Sequence, residues 1–173
     1  MEALKFPIGR FSAPTEMTST QLSSFVKVIE DFPALLKAET DKLSEVQLDT
    51  AYRPGGWTVR QVVHHCADSH MNSFIRFKLA LTEDSPTVKT YEEGLWADMV
   101  DVLNSPLEPS IKILGGVHLR WVLLLKSMSE ADFEKTFFHP EKKKTVSLYE
   151  TTALYSWHSM HHLGHVKLVS EGK

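Results

Sequence analysis

One cysteine, Cys66, stands in 173 residues. No disulfide can close within the chain, and a reducing compartment fits that usage. A surplus of positive charge is also lacking, since 19 Lys and Arg against 22 Asp and Glu leave a formal net charge of -3. Nucleic-acid binding needs a concentrated basic surface, so nucleic acid is excluded as a partner. The one basic run, Lys142-Lys143-Lys144, follows Pro140 and reads as a solvated loop ahead of the last helix. Long apolar runs are missing. The longest, Trp121 to Leu125, falls far short of the ~20 residues that cross a bilayer, and no membrane association is expected. The opening Met1-Glu2-Ala3-Leu4-Lys5-Phe6-Pro7 carries no basic region followed by a long apolar stretch. A secretory signal is therefore not expected, and the reading is cytoplasmic. Finally, the zinc-protease signature HExxH is absent, because Ser159 follows His158 where that signature has glutamate.

Apolar residues make up 42% of the chain, enough for a globular protein, and the length suits one domain over residues 1–173. Residues 1–17 are expected to be irregular, punctuated by Pro7, Gly9 and Pro14. Thr18-Ser19-Thr20-Gln21 has the form of a capping box. Leu22, Phe25, Val26 and Ile29 follow at helical spacing. Pro33 is expected to break or kink this helix, which resumes through Leu35, Leu36 and Leu43. Ser44-Glu45-Val46-Gln47 is a second capping box and opens a short turn. After the loop Arg53-Pro54-Gly55-Gly56, Thr58-Val59-Arg60-Gln61 caps a long helix running to about Glu83. Its apolar stripe is Val59, Val63, Cys66, Phe74, Phe77 and Leu81. Residues 84–109 are mixed, with a short helix over 92–103. A third long helix fits 110–128, a helical turn fits 129–134, and Ser147-Leu148-Tyr149-Glu150 opens a fourth long helix reaching about Ser170. No alternating strand run is convincing. The expected fold is all-α, a four-helix bundle with short extra helices in the connections.

Histidine is what the chain has in excess: nine residues, four of them between positions 158 and 165. In a helix, His158 and His162 stand one turn apart on one face, and so do His161 and His165. Two imidazoles so spaced can hold one metal ion from a single rigid element, and both pairs satisfy the spacing. The His158/His162 face also carries Thr151, Leu154, Tyr155, Val166 and Val169, with Ala153, Met160 and Lys167 opposite, so this pair should point inward. Buried imidazoles without partners are costly, and a metal answers that cost. A third ligand is sought at His64-His65, where adjacent positions point apart and one alone can join. On the same helix His65 lines up with Ser69, Asn72 and Arg76, away from the apolar stripe. That line is either a solvent face or the wall of a polar pocket. In the pocket reading Arg76 holds an anionic group by a forked hydrogen bond. His70 falls on the apolar stripe and reads as core. His118 reads as structural, with a place on the pocket wall or behind a ligand as its alternative, and His139 is a weaker candidate. Cys66 reads as packing.

The stretch from Tyr52-Arg53-Pro54-Gly55-Gly56-Trp57-Thr58-Val59-Arg60-Gln61-Val62-Val63-His64-His65 through Ala67-Asp68-Ser69-His70 to Leu79 resembles the YfiT branch of the DinB superfamily. So do Pro7-Ile8-Gly9, His118-Leu119-Arg120-Trp121, Phe138-His139-Pro140 and Trp157-His158-Ser159-Met160-His161-His162. The resemblance covers nearly the whole chain in order. It implies a DinB-type four-helix bundle and a homodimer. It also implies one divalent metal ion held by His65, His158 and His162, with waters completing the shell. Members of that family are described as metal-dependent hydrolases, and related DinB proteins transfer low-molecular-weight thiols such as bacillithiol. Cys66 stands where an aliphatic residue is expected, and residues 84–110 match less clearly and are expected to shape the pocket entrance.

Three neutral imidazoles leave a coordination position open, as in catalytic zinc sites. An ion so held acidifies bound water to roughly 7, which points to hydrolysis of a small-molecule substrate. The same ion could instead stabilise an exogenous thiol as thiolate, with Asn72 and Arg76 holding its polar body, which is an S-transferase reading. A third reading is metal binding without catalysis. Asp68, one turn from His65, is a candidate to orient a ligand from behind, with a role as base and a plain surface carboxylate as its alternatives. No catalytic residue is assigned. Zinc is the expected ion and nickel its substitute, since imidazole suits both.

Overall fold

The computed structural model describes residues 2–172. The elements begin with α1 (Glu2–Lys5), α2 (Ser19–Thr40), α3 (Glu45–Leu48), α4 (Val59–Thr82), α5 (Glu93–Ala97) and α6 (Val100–Asn104). They continue with α7 (Glu108–Ser127), α8 (Glu130–Glu134), β1 (Thr136–His139), β2 (Lys144–Ser147) and α9 (Leu148–Ser170). Among the described residues no helix is long and apolar enough to cross a membrane.

Side-chain caps set where three of the four long helices start, α7 being the exception. The Thr18 hydroxyl accepts from the Gln21 amide, and the Ser147 hydroxyl from the Glu150 amide. Complete capping boxes open α3 at Ser44 and Gln47, α4 at Thr58 and Gln61, and α8 at Ser129 and Asp132. Each satisfies an amide that the first helical turn leaves without a partner.

The four long helices form a ring in which α2 packs on α9 and α7, and α4 packs on α7 and α9. The first two long helices of the chain therefore sit across the bundle from each other. One apolar cluster gathers Ile29, Phe77, Trp121, Leu125, Phe133 and Leu148. The other gathers Phe32, Leu36, Val62, Cys66, Leu114 and Leu163.

Five expectations need correction. Pro33 does not end α2, which continues to Thr40. Proline lacks an N–H, so the Ile29 carbonyl four residues back has no helical donor there. A side chain from α7 meets it instead: His118 Nδ1 lies 2.6 Å from Ile29 O. Strands are also present. β1 and β2 pair antiparallel from Thr136↔Ser147 to His139↔Lys144. Residues 86–88 run alongside, with the Phe138 N–H donating to Pro86 O (2.9 Å) and the Val88 N–H to Phe138 O (3.0 Å). The lysine run is accordingly not one loop: Lys144 belongs to β2 and pairs with Glu150 at 2.7 Å. Finally, the N-terminal segment contains a helical turn, α1, and the helix expected over 92–103 is two short ones.

Gly164 brings that N-terminal segment onto α9. A Cβ at this position would lie 2.8 Å from Pro7 Cγ. Only a bare glycine lets the chain after α1 cross so close to the helix.

Candidate metal centre

Three histidines meet between α4 and α9. His65 Nε2 and His158 Nε2 are 3.3 Å apart. With His162 they form a group whose candidate ligand atoms all lie within 4.8 Å of one another. The His158 and His162 ring centroids are 4.4 Å apart, as the one-turn spacing predicts. His65 and His162 are buried, and His158 borders a cavity. Loss of hydration pushes the His65 pKa down to about 4. Burial, then the neighbouring imidazoles, hold His158 and His162 well below the ordinary histidine value. All three rings are neutral at pH 7, the state in which a ring nitrogen can donate a lone pair.

Other histidines stand directly behind two of these rings. His70 Nε2 lies 3.0 Å from His158 Nδ1, and His70 Nδ1 lies 2.7 Å from His118 Nε2. His70, on the apolar stripe of α4, is a core residue as expected, 0% exposed and stacked on Phe32, yet both its ring nitrogens have hydrogen-bond partners, which the stripe does not reveal. His118 stands one ring further back: it touches His70 and the Ile29 carbonyl, and none of the three rings of the group. On the other side, His165 Nδ1 lies 3.3 Å from His162 Nδ1, and His165 Nε2 lies 3.1 Å from Lys5 O at the end of α1. Tyr52 stacks on His165 at 3.9 Å between centroids. His161, His162 and His165 form a second close group, with His161 stacked on Trp157. His64 turns away, with Nδ1 2.7 Å from Ser110 Oγ.

A cavity of about 410 Å³ opens beside His158, and Arg76, Tyr91, Glu93, His139, Lys142 and Tyr155 are among its walls. Of the polar line on α4, Ser69 and Arg76 face it. The Ser69 hydroxyl is 3.1 Å from the Tyr155 hydroxyl. Arg76 donates through Nη2 to Lys89 O at 3.1 Å, while its Nε is buried without a partner. Asn72 is not brought to the cavity. Its Nδ2 donates back along the helix to Asp68 O at 2.9 Å. Thr90 to Gly94 form one wall, which is where the segment after α4 meets the site.

The sequence profile described as DinB superfamily matches residues 29–166, from the middle of α2 into α9. The chain belongs to the DinB superfamily. This DinB chain is 47% identical over 167 residues to a Bacillus licheniformis protein named "Putative metal-dependent hydrolase", covering 96% of this chain and 95% of that one. It is 42% identical to Bacillus subtilis YfiT, which bears the same description, covering 96% and 94%. The solved structure of YfiT superposes with a TM-score of 0.95 at 41% identity, over 98% of this chain and 97% of that one. That structure is described as a probable metal-dependent hydrolase with an unusual four-helix bundle topology.

Two further DinB residues can be placed. Asp68 makes no hydrogen bond to His65. It is half-buried, and burial together with Asp101 raises its carboxyl to about 6. Cys66 is wholly buried, and burial pushes its thiol up, so it packs and does not react.

Proposed function

We propose that this DinB protein is a metal-dependent hydrolase of small molecules, with one divalent ion held by His65, His158 and His162. The carrying observation is the 3.3 Å approach of the His65 and His158 Nε2 atoms, with a third ring one helical turn away. Two bare lone pairs so close repel unless a cation or a proton lies between them. With zinc–nitrogen bonds of about 2.0–2.1 Å, ligand nitrogens at tetrahedral angles stand roughly 3.3–3.4 Å apart. The donor set fits a zinc ion, and all-imidazole ligation accepts nickel as well. When bound, the ion supplies Lewis-acid polarisation and acidifies bound water.

The protein's own groups do the rest. His158 is the one member of the ligand set that lines the cavity, so a molecule held there would lie beside a ring that would hold the ion. Arg76 lines the cavity, and its guanidinium binds an anionic substituent there by charge-assisted hydrogen bonds. The ligand rings hydrogen-bond to imidazoles, not to carboxylates, so a proton acceptor must come from the cavity wall, where Glu93 and Glu141 stand. Burial, then the neighbouring Glu141, raises the Glu93 carboxyl above its ordinary value.

The test is turnover by the zinc-loaded protein of small anionic esters and amides, with and without added thiols. Thiol-independent hydrolysis lost in His158→Ala supports the proposal. Thiol-dependent conjugation of monochlorobimane in its place would replace hydrolysis by S-transfer. Tight metal binding with neither activity would leave a non-catalytic metal protein.

A further inference from the structure

We infer that two chains of neutral imidazoles, each ending on a backbone carbonyl, fix the ring protons of His158 and His162 on Nδ1 and so aim both Nε2 lone pairs at the metal. The first chain starts in the backbone of α2. Pro33 has no N–H to give the Ile29 carbonyl, and a carbonyl cannot donate. The 2.6 Å contact therefore requires a proton on His118 Nδ1. A neutral imidazole carries one N–H, so His118 Nε2 is an acceptor. At 2.7 Å it must receive the His70 Nδ1–H, which leaves His70 Nε2 bare. At 3.0 Å that nitrogen must in turn accept from His158 Nδ1–H. The only nitrogen left to His158 is Nε2, free of a proton and facing His65.

The second chain starts at the last carbonyl of α1, which the helix itself leaves unpaired. His165 Nε2–H donates to Lys5 O, so His165 Nδ1 is bare and accepts from His162 Nδ1–H. His162 Nε2 is thereby free. Flipping any one ring would set two protons or two lone pairs face to face in a buried site, leaving polar groups unsatisfied. The rings depend on one another, and no carboxylate is needed to orient them. The His65 Nδ1 atom has no hydrogen-bond partner among the described residues, so His65 alone is not fixed in this way. His70, His118 and His165 are positioning residues that act through the ligands.

The consequence for metal binding rests on the ligand assignment above, whereas the proton positions do not. Long-range ¹H–¹⁵N spectra of the metal-free wild-type protein at pH 7.5 read them directly. The expected pattern is Nδ1–H for His70, His118, His158 and His162, and Nε2–H for His165. The Nδ1–H form is the less common one for free imidazole, so the pattern does not arise by default. An Nε2–H proton on His158 or His162, or a doubly protonated His70, overturns the inference. A pair of variants tests the consequence. The amide of His70→Gln can accept from His158 and donate to His118, whereas His70→Phe can do neither. Zinc affinity, measured by competition with a chromophoric chelator, should fall about 10–100-fold in His70→Phe, the usual loss when a ligand's supporting partner is removed. His70→Gln should retain most of it. Equal affinity in His70→Phe and wild type, or equal loss in both variants, overturns the inference. If His70→Phe does not fold, the wild-type spectra decide alone. A wild-type protein that takes up no zinc overturns the ligand assignment instead, and the spectra still decide the proton positions.

Discussion

Asp68 shows how little sequence distance says about contact. It lies one turn from His65, yet no hydrogen bond joins them, and the ring behind a ligand is His70, on the far side of His158. Its carboxyl is raised to about 6 from the ordinary 3.8. A carboxyl raised in the folded state stabilises the fold below its unfolded pKa, and that stability is lost as pH rises through the folded value. Asp68→Asn should therefore be neutral near pH 4 and stabilising by on the order of 1 kcal/mol at pH 8, as read by urea unfolding at both pH values. Zinc affinity should not change. The residues that periodicity and spacing could reach were those on one helical face: His158 with His162, and Ser69 with Arg76. A wheel shows direction but not reach: Asn72 shares that face, yet it does not line the cavity and its Nδ2 donates to Asp68 O. His70 was legible as buried but not as polar, because its partners come from α7 and α9, far away in sequence.

At the scale of elements, Pro33 and His118 act as a pair. His118→Phe removes the donor from a buried carbonyl and the acceptor from His70, and should destabilise by on the order of 3 kcal/mol. Pro33→Ala returns a backbone N–H to Ile29 O, so it should be worth more in the His118→Phe background than in wild type. A double-mutant cycle by chemical denaturation measures that coupling, and simple additivity would contradict it. Helix starts were legible because capping boxes are local. The hairpin was not, because four-residue strands that bury only Phe137, His139 and Val146 give too few alternations to stand out. Helix α9 was expected to be buried on one side. It is enclosed nearly all round, with Ala153 3% exposed opposite the histidine face, because α2, α4 and the N-terminal segment all pack on it.

Across the whole molecule, the buried histidines make the fold sensitive to acid. The His118 pKa is pushed down to about 4 by burial. A histidine depressed in the folded state contributes stability that is complete above its ordinary value of 6.5. That stability is lost as pH falls from there toward 4. Each such ring accounts for up to about 2 kcal/mol by pH 5, so the urea midpoint should drop between pH 7 and pH 5. A flat profile would contradict neutral burial. The ring order of the bundle was not legible from periodicity, since four amphipathic stripes fit any cyclic order. The likeness to the DinB superfamily gave the bundle, and the packing of α2 and α4 on both α7 and α9 gives the order. X-ray absorption at the zinc edge of the loaded protein is the most direct test of the metal centre. The expected spectrum is one ion per chain, with three imidazole nitrogens at about 2.0–2.1 Å and water oxygen completing the shell. Fewer than three imidazoles, a sulfur ligand from Cys66, or an unchanged spectrum in His65→Ala would contradict it.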